Sequence, residues 1–189
     1  MKQNLPRCPW ANQSDLERDY HDTEWGVPCY DDRNLFELLI LEGMQAGLSW
    51  HTVLVKRPRF REVFHLFDME TVASFDEHDI DRLLADPGII RHRLKIESAV
   101  TNAQAAIRAA EIHGSLSRYL WQFVDGEPIV NHFTAMGDVP AKTAQSEAMS
   151  KQLKKDGFRF VGPTICYAFM QATGMVNDHL LTCFCRSES

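Results

Sequence analysis

Four soft side chains lie in two pairs near opposite ends of this 189-residue sequence. His179 and Cys183, in "NDHLLTC", are four residues apart, and one turn of helix would bring them onto one face. Cys8 and His21, in "RCPWANQSDLERDYH", offer a second thiolate and a second imidazole. Together they form a Cys2His2 set suited to a closed tetrahedral zinc site. Such a site would pin two termini that otherwise fray. Cys185 falls on the opposite face if the helix persists, which makes Cys183 the better ligand. Four protein ligands leave no position for water, so the metal would be structural. On spacing alone, a buried thiol beside an ordinary histidine also stays open, because five cysteines and eight histidines allow accidental pairings.

A carboxylate forms the second feature. Glu42 continues the i, i+3, i+4, i+7 pattern of Leu35, Leu38 and Leu39, where a helix facing a core calls for an apolar residue. An acid there is either paired with a cation or used for binding or chemistry. Trp10, Tyr20, Trp25, Tyr30 and Trp50 all fall in the first fifty residues. Aromatic walls around a carboxylate would favour a flat cationic ligand. The alternative is core packing, with Glu42 paired to an arginine or standing at the helix end.

The third feature is "KKDGFRFVGPTICYAFMQATG", in which a polar helix ends at Gly157 and an apolar one begins after Gly162. Glycine permits close backbone approach, and amides at a helix start bind anions. Lys151, Lys154, Lys155 and Arg159 add positive charge, opposed by Asp156. A duplex backbone is one such anion; an ordinary turn with a solvated basic face is the other reading.

The elements that must position these residues read as helices throughout, so the fold class is all-α. Asp32 is expected to cap a helix through "RNLFELLILEG", and Ser49 the next, "WHTVLVKR". Pro58 would open another, and Asp68 and Asp76 two short ones. A long alanine-rich helix from residue 91 to 113 stops at Gly114. "LSRYLWQFV", "SEAMSKQLKK" and "PTICYAFMQAT" supply the rest, with 125–142 as an irregular connection. No linker or repeat divides the chain, so residues 1–189 are expected to form one domain of up to two lobes.

Apolar content of 44% with 24% charged residues describes an ordinary soluble protein. No apolar run is long enough to span a membrane, and the start lacks a secretory pattern. A cytoplasmic monomer with reduced thiols is the expectation. A net charge of −6 argues mildly against nucleic acid, although a local basic patch outweighs the total.

"YHDTEWGVP", "LEGMQAGLSW", "GIIRHRLKI" and "FVGPTICYAFMQATGMVNDH" resemble, in this order, the signatures of the bacterial 3-methyladenine DNA glycosylase I family. The resemblance runs from Cys8 to Cys183. It implies a helix-hairpin-helix glycosylase fold with a structural zinc joining the N- and C-terminal segments through Cys8, His21, His179 and Cys183. It implies that Glu42 and Tyr20 hydrogen-bond an alkylated base, that Trp50 stacks on it, and that Trp10 and Trp25 stand near the pocket. Glu42 is the residue on which catalysis would rest. Gly47 and Leu48 resemble residues beside the gap left by an extruded nucleotide. Lys154, Lys155, Arg159, Gly162 and Thr164 would face double-stranded DNA containing alkylated purines. Relatives in the wider superfamily carry a catalytic aspartate where "VNDH" has Asn177, and bifunctional ones a lysine where Pro163 and Thr164 stand. The implied enzyme therefore cleaves the glycosidic bond without cutting the backbone. A noncatalytic damage-binding module and a zinc hydrolase are the competing classes.

Overall fold

The computed structural model describes residues 5–186. Among these, nine α-helices are joined by short 3-10 turns: α1 (Asp15–Thr23), α2 (Asp32–Gln45), α3 (Trp50–Val63), α4 (Met69–Ala73), α5 (Glu77–Ala85), α6 (Arg93–His113), α7 (Leu116–Trp121), α8 (Ala144–Lys155) and α9 (Pro163–Ala172). The all-α expectation holds, with one addition. β1 (Ile129–Val130) pairs in parallel with β2 (Val176–Asn177) and anchors the irregular 125–142 segment. Two residues per strand are too few to leave an alternating pattern in the sequence.

α2 is the hub, packed against α3, α6, α7 and α9. Every residue from Leu35 to Met44 is buried, so the helix is enclosed all round rather than along one stripe. Its cap is Asp31, which accepts from Asn34 N–H at 2.9 Å. Asp32, expected in that role, instead accepts from Leu116 N–H (3.0 Å) and Ser117 N–H (2.7 Å) and so caps α7 from outside. A carboxylate at the joint satisfies whichever orphan amides the tertiary fold brings to it.

Ser49, Asp68 and Asp76 cap their helices as expected. Pro58 does not start a helix but lies inside α3. An interior proline costs roughly 3 kcal/mol, while Val53, Leu54, Phe60 and Val63 are buried on either side of it. Burial at about 1.5–3 kcal/mol for each large apolar side chain outweighs that cost and keeps the helix continuous. α1, which no apolar periodicity marked, is capped by Ser14 accepting from Glu17 N–H at 3.1 Å.

Candidate functional site

A cleft of about 420 Å³ opens between α1, α2, the start of α3 and α9. Trp10, Tyr20, Trp25, Glu42 and Trp50 all line it, so residues drawn from the first fifty positions do converge. The Tyr20 and Trp50 rings lie 5.4 Å apart, and Trp10 and Trp25 meet edge to face at 5.2 Å. Tyr30 leaves this group: it is exposed and stacks on Trp121 at 4.3 Å, because the chain after Gly26 turns away toward α7.

Glu42 is 4% exposed, and no protein group hydrogen-bonds or pairs with its carboxyl among the described residues. Burial pushes it up to about 8. The arginines that might have neutralised it go elsewhere. Arg57 Nε and Arg61 Nε donate to Glu37 Oε1, at 2.5 and 2.9 Å, and Arg57 also holds Glu24 at 2.8 Å. Two acids are thus buried on α2, one compensated and one bare. The Tyr20 hydroxyl and the Trp50 Nε1–H are likewise buried without a protein partner. Burial and then nearby Glu42 raise the Tyr20 phenol well above its ordinary range. Buried polar groups are normally satisfied, and two unsatisfied ones beside an unpaired carboxyl in one aromatic cleft describe a socket for a flat polar ring.

Beside the cleft lies a second groove lined by Glu42, Gln45, Gly47, Leu48, Thr164 and Ala168 among others. Glu42, Gln45 and Ala168 belong to both walls. Leu48 is 44% exposed on the loop between α2 and α3, where Gly47 takes φ +79°. Lys95, which the sequence did not single out, is buried and donates to Met44 O (2.9 Å) and Ala46 O (2.6 Å). A cation on the last carbonyls of α2 complements the helix end and holds this loop.

The hairpin between α8 and α9 faces the same side. Gly157 takes φ +96°, whereas Gly162 has ordinary φ −64° and caps α9 with open space where a side chain would stand. Asn102 grips the link by accepting from Arg159 N–H (2.7 Å) and donating to Arg159 O (3.0 Å). Lys154, Lys155, Arg159 and Thr164 are exposed. Asp156 accepts from Tyr119 O–H and Gln152 Nε2, while the charge of Lys155 still acts on it, as expected. The positive charges at the hairpin are left facing solvent.

On the far side of the aromatic wall, Cys8, His21, His179 and Cys183 are all buried, with their ligand atoms within 4.8 Å of one another. Cys183 Sγ lies 3.4 Å from both His21 Nε2 and His179 Nδ1, and Cys8 Sγ lies 3.8 Å from His179 Nδ1. The remaining ring nitrogens are occupied. His21 Nδ1–H donates to Asp22 (2.9 Å), itself clamped by Arg7, and His179 Nε2–H donates to Trp25 O (3.0 Å). Those bonds leave one lone pair of each imidazole for a metal, the orientation that outer partners impose on metal-binding histidines. Gly26 makes room: a side chain there would meet His179 Nε2 at 2.9 Å, and φ is +78°. The expected helix from His179 to Cys183 is absent; a turn closed by Cys183 N–H to Leu180 O (2.8 Å) brings the two together. Cys185 is excluded not by helix phase but because its sulfur lies on the Asp22 side of His21, 3.8 Å from Nδ1.

Asp178 is no free acid. It accepts from Tyr167 O–H (2.6 Å), Asn131 Nδ2 (2.7 Å) and Gln171 Nε2 (2.8 Å). Asn177 turns its Oδ1 to His179 N–H at 3.2 Å. No described helix is long and apolar enough to cross a membrane.

A family profile described as methyladenine glycosylase matches residues 10–186. The chain is 49% identical over 181 residues to DNA-3-methyladenine glycosylase 1 of Escherichia coli, covering 96% of this chain and 97% of that protein. A crystal structure of a 3-methyladenine DNA glycosylase I matches with a TM-score of 0.93 at 50% identity, covering 96% of this chain and 100% of the other. The Staphylococcus aureus 3-methyladenine DNA glycosylase I, solved to explain its recognition of 3-methyladenine, gives a TM-score of 0.94 at 37% identity over 97% of each chain.

Proposed function

Since the chain belongs to the methyladenine glycosylase family, we propose that it is a base-excision repair enzyme that hydrolyses the N-glycosidic bond of N3-alkylated purines, chiefly 3-methyladenine, in double-stranded DNA. The observation that carries this reading is the bare Glu42 carboxyl beside unpartnered Tyr20 and Trp50 in an aromatic cleft. A purine alkylated at N3 is a cation while it is attached to the sugar. When the bond from C1′ to N9 breaks, the electron pair goes to N9 and the base leaves neutral. Water then adds to the sugar cation and loses a proton. Such a leaving group needs little help from an acid, in keeping with Asn177 in the acid's place and the three hydrogen bonds occupying Asp178.

In this reading the base is flipped from the duplex into the cleft. Glu42 and Tyr20 hydrogen-bond the ring, Trp50 stacks on it, and Trp10 and Trp25 complete the wall. Leu48, carried on the turn at Gly47, enters the gap left in the duplex. The α8–α9 link acts as the helix-hairpin-helix element, with Gly162, Thr164, Lys154, Lys155 and Arg159 toward phosphate. Among the described residues no lysine lines the cleft or the adjoining groove, so a Schiff-base attack on the sugar has no nucleophile, and the enzyme is monofunctional. Cys8, His21, His179 and Cys183 suit one structural zinc: two thiols, two oriented imidazoles, and burial that leaves no open position. That closure argues against the zinc hydrolase class.

Release of free 3-methyladenine from methylated duplex DNA tests the proposal. Binding of such DNA without base release would favour a noncatalytic damage-binding module, the reading that Asn177 keeps in play.

A further inference from the structure

The cleft holds a second carboxylate that the account above does not use. Glu17 lies one turn before Tyr20 on α1, is 6% exposed, and lines the same cleft as Glu42. Ser14 Oγ–H donates to its Oε2 at 2.8 Å. His51 Nδ1 sits 3.2 Å from Ser14 Oγ and 3.4 Å from that same Oε2. No arginine or lysine reaches Glu17 among the described residues, and its Oε1 bonds no protein group. The contrast with the other buried acids is informative: Glu37 holds two arginines and Asp178 accepts three hydrogen bonds.

A structural role at the helix start would look different. Serine followed three residues later by glutamate can form a reciprocal cap in which the carboxylate returns to the serine backbone N–H. Here the carboxylate takes the serine hydroxyl instead, and no bond to Ser14 N–H is formed. With Oε2 held by Ser14 and His51, the other oxygen is not among the sealed, unpartnered atoms and stays open to the cleft, where a ligand can meet it.

We infer that Glu17 is a specificity-determining residue, a second acidic wall, aimed by Ser14 and His51, that selects purines carrying positive charge. This inference rests on the reading of the cleft as an alkylpurine pocket.

The test uses 3,9-dimethyladeninium, a fixed cation with a methyl group in place of the sugar, and neutral 9-methyladenine. Both are titrated at neutral pH into wild type, Glu17→Gln, Glu17→Asp and His51→Lys. Glu17→Gln should weaken the cation by about five- to tenfold while moving the neutral purine less than about twofold. Glu17→Asp should keep most of the preference. His51→Lys, at an exposed position, should lower it by compensating Glu17 in place, which covers the case of a poorly folded Gln variant. Equal losses for both compounds, or an unchanged preference in Glu17→Gln and His51→Lys, would overturn the inference. Base release by wild type alongside an unchanged preference sinks the inference alone. Absence of base release from methylated duplex sinks the pocket reading and the inference together.

Discussion

Glu42 is raised from an ordinary 4.5 to about 8 by burial alone. Between those values the native state binds more protons than the unfolded chain. The stability this group contributes is fully present below about 4.5 and is lost as pH rises through about 8. Glu42→Gln removes that dependence. The variant should therefore gain on wild type across this window, by up to about 1.4 kcal/mol for each pH unit. Thermal unfolding of both proteins from acid to mildly alkaline pH measures it, and parallel curves would contradict the assignment. Binding runs the other way, because a cation favours the ionised carboxyl. Affinity for 3,9-dimethyladeninium should rise with pH toward about 8 in wild type and stay flat in Glu42→Gln. Above about pH 8, where the carboxyl is ionised, the Gln variant should lose about tenfold for the cation and less for 9-methyladenine, with a smaller loss at neutral pH. Some excision should survive, since the leaving group is already activated. Intact binding with abolished excision would make Glu42 a direct catalyst instead.

The hairpin and the loop after α2 act as elements, and α6 braces both. Asn102 holds the hairpin link, while Lys95, two helical turns earlier, holds the end of α2. Replacing both Lys154 and Lys155 with Ala should weaken duplex binding alike across sequences. It should also reduce the slope of log affinity against log salt by about 2, near 0.9 for each lost phosphate contact. Binding of free 3-methyladenine should not change. An unaltered salt slope would remove these lysines from the DNA face. Lys95→Met should leave free-base binding within about twofold and lower excision from duplex by about tenfold or more, because a shift of the loop after α2 by an ångström is enough to misplace a reacting group. Restored excision in Lys95→Arg would show that the charge on the α2 carbonyls matters; equal duplex excision by wild type and Lys95→Met would remove Lys95 from the positioning role.

At the scale of the whole molecule, the cysteine–histidine cluster is also the back wall of the cleft. His21 follows Tyr20 on α1, its ring stacks with Trp25 at 6.0 Å, and His179 bonds the Trp25 carbonyl. Loss of metal should therefore cost stability and loosen the pocket together. Cys183→Ala and His21→Ala are expected to lower zinc content and melting temperature in parallel, by several degrees or more. Affinity for free 3-methyladenine should fall with them. A double variant lacking Cys8 and His179 that retained full zinc would refute the ligand set.

The sequence by itself determined the helical class, most of the caps and the chemistry of the main residues. Those signals are local: a serine or aspartate before an apolar run, or an acid where a leucine belongs. Cys8, His21, His179 and Cys183 were readable from type and position as a Cys2His2 set among other accidental pairings, and the family resemblance implied the same set. Contacts between distant segments were decided only by the tertiary structure. It gave Asp32 to α7, carried α3 through Pro58, sent Tyr30 to Trp121 and bonded Asp156 to Tyr119 and Gln152. It also brought Glu17 to the cleft and left Glu42 without the arginines that took Glu37. Whether a buried charge is paired depends on what packs against it from elsewhere in the chain, and no local pattern encodes that neighbour.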